Sequence, residues 1–137
     1  MRRIGVDTNV VVSFVTDRDA KQQTRAAELF VAATSGQHII VLHQAVITEA
    51  VYVLCTVYGT PPHDVSAVMR DVLSLPGVVS ADQVDWPTIW SSWPRRIKDF
   101  GDACLIAVAK ADTYDVLATF DAEFAKRARR QGVATYW

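Results

Sequence analysis

Cysteine is scarce in this chain of 137 residues; Cys55 and Cys104 are the two present. Both lie inside apolar runs, which predicts buried free thiols in a reducing compartment. No Cys and His spacing suggests zinc, and His38, His43 and His63 have no spacing that suggests a triad. No apolar run reaches the roughly 18–20 residues of a membrane span without polar interruption. No signal peptide precedes the first predicted strand. The expectation is a cytoplasmic protein with no membrane partner. Repeats, low-complexity tracts and linkers are also missing, and the length suits one domain over residues 1–137. Charge of either sign is not in excess: 14 Lys and Arg against 15 Asp and Glu leave a net charge of −1. That balance does not advertise nucleic-acid binding and does not exclude it, since a local patch is enough. Apolar residues are plentiful. Half of the chain is hydrophobic and 21% is charged, which excludes a disordered chain.

Strand and helix patterns alternate along the chain. Ile4-Gly5-Val6 reads as a strand ending at Asp7, and residues 8–15 as a short apolar helix. Residues 20–34 read as an amphipathic helix closed by Gly36. His38 to Leu42 reads as a second strand, and residues 43–58 as a helix with almost no polar face. A helix apolar all round is expected to be buried. Gly59 to Pro62 breaks the chain, residues 63–75 form the next helix, and Val78-Val79 a short strand. Trp86, Ile89, Trp90 and Trp93 recur at helical spacing, either as a core-facing stripe or as a partner surface. Arg95 to Gly101 reads as a loop, and residues 102–109 as another apolar helix. Residues 115–120 and 133–136 read as strands flanking a helix over 122–131. Alternation of this kind predicts a three-layer α/β/α sandwich with a mainly parallel central sheet.

Four carboxylates stand out against this frame. Asp7 and Asp121 fall at strand ends, where open α/β sheets bind ligands. Asp7 has a plainer reading as strand-end and helix-cap chemistry. Glu49 is the one charge in its apolar helix, so it pairs with an arginine or snorkels out to solvent, or else lines a polar cleft and meets a cation. Asp102 is either a cap or a first-turn acid favoured by the helix dipole. Carboxylates brought together need a cation, and Mg2+ and Mn2+ both prefer oxygen ligands. Thr8, Asn9 and Thr119 are placed to orient waters or ligands around such an ion. Arg95, Arg96 and Lys98 precede Asp102. Lys126, Arg127, Arg129 and Arg130 follow Asp121, as either an RNA-facing group or a solvated face.

These residues carry a resemblance over essentially the whole chain. Val6-Asp7-Thr8-Asn9, Thr48-Glu49, Asp102-Ala103-Cys104-Leu105-Ile106-Ala107 and Thr119-Phe120-Asp121-Ala122-Glu123-Phe124 resemble, in order, the four acidic motifs of the PIN-domain ribonucleases. The likeness is in particular to the VapC-type toxins of bacterial toxin–antitoxin pairs. Each motif alone is weak, but four in the right order are strong. The resemblance implies hydrolysis of RNA phosphodiesters with Mg2+ or Mn2+, leaving 5′-phosphate and 3′-hydroxyl ends. It implies metal ligation by Asp7, Glu49, Asp102 and Asp121. Asp99, one helical turn before Asp102, is a further candidate ligand. A homodimer and a cognate antitoxin are implied as well. Two other classes compete. A haloacid-dehalogenase-like phosphatase also begins with a strand-end aspartate, but Asn9 stands where its second catalytic residue belongs. An inactive PIN-like or receiver-like binding module would not need four intact acids.

Overall fold

The computed structural model describes residues 1–111 and 115–137. Residues Met1–Gln83 form one compact unit. At its centre lie three parallel strands, β1 (Arg3–Gly5), β2 (Ile39–Leu42) and β3 (Val78–Ser80), in that spatial order. Ile4 pairs with Ile40, and Ile40 with Val78. Parallel neighbours need long crossovers, usually helical. Here α1 (Thr8–Val15) and α2 (Ala20–Thr34) join β1 to β2, and α3 (Gln44–Thr56) and α4 (Pro62–Leu73) join β2 to β3. The middle strand is buried, with Ile40 and Leu42 fully covered, as strands between two layers are. Phe14 of α1 stacks on Phe30 of α2 at 4.1 Å between ring centroids. This contact fixes α1, and with it the residues that open α1 just after β1.

Residues Val84–Trp137 form a second compact unit with α5 (Trp86–Ser92), α6 (Phe100–Lys110) and α7 (Ala122–Arg130). The tryptophan stripe faces inward: Trp86, Ile89, Trp90 and Trp93 are all buried. Phe100, the first residue of α6, stacks on Trp90 at 5.8 Å and meets Trp93 edge-on at 5.1 Å. Trp93 Nε1 also donates to the Lys98 carbonyl at 3.1 Å. Aromatic pairs in these geometries add to the area they bury. The stripe therefore anchors the start of α6, where Asp99 and Asp102 lie.

The class is α/β with a parallel sheet, as the alternation predicts, and seven helices among the described residues. Three local expectations are corrected. The predicted strands over 115–120 and 133–136 reduce to one parallel bridge, Leu117 to Thr135. Of the first run, Leu117 is buried while Val116, Ala118 and Phe120 are exposed. A single inward side chain cannot anchor a full strand. The helix expected from Asp102 begins at Phe100, with Asp99 as its cap. Finally, α3 is not buried all round. Ile47, Ala50, Val51 and Leu54 face inward, but Glu49 is exposed and Tyr52 is 66% exposed. Among the described residues, no helix is long and apolar enough to cross a membrane.

Candidate active site

The candidate carboxylates fall into two groups, one in each unit. In the first, Asp7 follows β1 and caps α1, its Oδ1 accepting from the Thr8 amide at 2.7 Å. Thr8 is buried, and its hydroxyl donates to Glu49 Oε2 at 2.9 Å. One residue thus links the strand-end aspartate to the α3 glutamate, 41 positions along the chain. Glu49 lines an open groove of about 680 Å³ with His43, Gln44, Thr48, Tyr52 and Asp82. Glu49 is exposed to solvent where it lines this groove. At the head of this groove Asp82 Oδ2 accepts from the Gln44 amide at 2.6 Å, capping α3 in place of His43, whose side chain makes no cap bond. Asn9 lies elsewhere, in a depression with Gln22 and Arg25.

The second group gathers around α6 and α7. Asp99 caps α6 by accepting from the Asp102 amide at 2.9 Å, so Asp102 sits in the first helical turn. Asp121 caps α7, accepting from the amides of Glu123 at 3.0 Å and Phe124 at 3.1 Å. The Asp121 amide donates to Thr119 Oγ1 at 3.1 Å, which holds the turn before α7. Asp102 is half-buried, and its carboxyl is pushed above the usual range. Burial is the largest cause, followed by the charges of Asp99 and Asp121. Arg127 pulls in the other direction. Arg127 therefore lies within electrostatic reach of the acids, a role that the reading of α7 as basic did not separate from that of its neighbours. Cys104 follows on α6, its thiol pushed up to about 11 by burial and then by Asp99. Burial likewise pushes up the Cys55 thiol. Both cysteines are free, as expected, though only partly buried. Arg95, Arg96, Lys98 and Lys126 are exposed.

Helix capping alone does not mark a site, since Asp19 and Asp85 cap α2 and α5 in the same way. What separates Asp99, Asp102 and Asp121 is their crowding. Among the described residues, no group of three or more His, Cys, Asp or Glu side chains is arranged to hold a metal ion. Asp99 and Asp121 each accept from backbone amides, while the Asp102 carboxyl hydrogen-bonds to Asp99. The donor set nonetheless fits a hard divalent cation. It is all oxygen, and the like charges that raise Asp102 are the ones a cation would relieve.

The PIN domain matches residues 4–130, and the chain belongs to that family, whose members are generally nucleases that use divalent metals. No curated protein matches the chain.

Proposed function

We propose that this protein is a Mg2+- or Mn2+-dependent ribonuclease, residues 1–137 acting as one nuclease domain. It hydrolyses RNA phosphodiester bonds to 5′-phosphate and 3′-hydroxyl ends. The observation that carries this reading is the crowding of Asp102 by Asp99 and Asp121 in a PIN-domain chain. A divalent cation held there would supply positive charge for the phosphoryl oxygens and would lower the pKa of a bound water. Asp7, Glu49, Asp102 and Asp121 would hold it, with Asp99 assisting. The Thr8 hydroxyl fixes Glu49 by its hydrogen bond, and the Thr119 hydroxyl fixes the turn that presents Asp121. Arg127 favours the ionised form of Asp102. Arg95, Arg96, Lys98 and Lys126 supply salt-sensitive affinity for the RNA backbone.

The test is hydrolysis of a single-stranded RNA and of a phosphate monoester, each with and without metal. RNA cleavage that needs Mg2+ or Mn2+, with no turnover of the monoester, is the expected result. Turnover of the monoester alone would assign the phosphatase reading, and no hydrolysis of either would leave a binding module. A second consequence concerns stability. A cation that binds only the folded chain stabilises it by mass action, about 2.7 kcal/mol at a hundred times its dissociation constant. Millimolar Mn2+ is therefore expected to raise the melting temperature by several degrees. An equal rise in an Asp102→Asn/Asp121→Asn variant would remove these acids from the metal site.

The likeness of the four motifs to the VapC-type toxins further supports a role as the toxin of a toxin–antitoxin pair. Such a toxin is a homodimer blocked by a cognate antitoxin. The open reading frame immediately upstream is where that antitoxin is sought, and inhibition of RNA cleavage by its product is the check.

A further inference from the structure

Three aromatic side chains stand in solvent close to Asp121. Phe120, its immediate neighbour, is 93% exposed, Tyr136 is 68% exposed and Trp137 is 65% exposed. Single exposed apolar residues are ordinary, but a group of them marks a contact surface. These three are grouped. Phe120 and Trp137 stack with centroids 4.9 Å apart and planes 22° from parallel, and Tyr136 meets Trp137 edge-on at 5.2 Å.

The arrangement is held from beneath. The Leu117–Thr135 bridge sets the two segments side by side. Arg129 Nη1 donates to Thr135 Oγ1 at 2.9 Å, and that hydroxyl donates to the Trp137 carbonyl at 2.8 Å. Phe120 and Trp137 line an open depression of about 510 Å³ together with Lys126 and Arg129. Flat aromatic faces beside cations suit an unpaired base and its phosphate, because every base has a π-face and every linkage a charge. In a duplex those faces are already covered.

We propose that Phe120 and Trp137 form a stacking platform that holds a nucleobase of single-stranded RNA beside Asp121, with Lys126 and Arg129 taking the adjacent phosphate. The proposal rests on the reading of Asp121 as part of a ribonuclease site, and it deepens that reading by naming the residues that hold a base of the RNA. The flanking cations favour a polyanion over a second copy of the chain as occupant.

The experiment measures affinity rather than cleavage, by fluorescence anisotropy without divalent metal. The probes are a labelled single-stranded oligouridylate and an abasic ribose-phosphate of equal length. Phe120→Ala and Trp137→Ala are each expected to weaken oligouridylate binding roughly tenfold, the scale of one lost base–aromatic stack, and to leave the abasic probe unchanged. Phe120→Tyr is expected to bind as wild type does, and Lys126→Ala to weaken both probes. At its exposure, truncating Phe120 removes no core contact, and an unchanged melting temperature confirms that the variant is folded. Equal affinity of wild type and Phe120→Ala overturns the platform. So does wild type that fails to bind oligouridylate, or that holds both probes equally. A dimer that becomes monomeric in Phe120→Ala by sedimentation would assign the patch to a second copy instead. Since binding is read without cleavage, loss of the platform with cleavage intact is distinguishable from absence of ribonuclease activity.

Discussion

Asp7→Asn is expected to leave the fold intact and to lower metal-dependent RNA cleavage by more than about a hundredfold, since changes merely around a metal ligand cost about 10–100-fold. Asparagine caps a helix as well as aspartate does, so the bond from the Thr8 amide survives and α1 keeps its start. The substitution removes the charge and almost nothing else. An unchanged circular dichroism spectrum and melting temperature, with cleavage lost, is the anticipated pair of results. Wild-type cleavage rates in Asp7→Asn would sink the metal-site reading of β1's end. Thr8 extends the same logic one bond further. Thr8→Val keeps the shape and removes the hydroxyl that holds Glu49 Oε2 at 2.9 Å. It is expected to cost about 10–100-fold in cleavage, with Thr8→Ser restoring the rate. Failure of serine to rescue would mean that Thr8 acts through packing, not by positioning Glu49.

The largest expected effect on stability is at Gly77, between α4 and β3. Its φ is +80°, and a Cβ built there would lie 2.7 Å from the carbonyl carbon of Ala33 in α2 and closer still to the carbonyl oxygen. Its own carbonyl accepts from the Ile40 amide at 2.8 Å, so the residue is tied to the middle strand and cannot retreat freely. Gly77→Ala therefore meets a left-handed backbone penalty of about 1–2 kcal/mol and overpacking of about 1–3 kcal/mol. A fall in unfolding free energy of about 2–5 kcal/mol follows from the two together, measured by urea denaturation. Gly36 is the control. Its φ is +81°, but nothing lies within 4 Å of its Cβ position. Gly36→Ala should show the backbone penalty alone, and equal losses at the two positions would refute the close approach to Ala33.

Features set by neighbours in the chain were legible in the sequence. Apolar spacing marked α1 and α2 with their observed ends, and the tryptophan stripe was read as core-facing, one of the two alternatives left open. Asp7 was read as both a cap and a candidate ligand because both roles depend on a local position, the end of an apolar run before a helix; that Asp121 caps α7 was not read. The four motifs pointed to the PIN family for the same reason, and the match over residues 4–130 agrees. Other features came only with the tertiary structure. The start of α6 at Phe100 depends on the tryptophans that receive that ring. The cap of α3 comes from Asp82, 38 residues away, and the donor to Glu49 from Thr8, 41 residues away. The exposed side of α3 and the stacked rings of Phe120 and Trp137 ran against hydrophobicity, which predicts burial for both. Hydrophobicity states how much a side chain gains from being covered. Whether any other part of the chain arrives to cover it is decided by contacts between distant residues, and no local pattern encodes those.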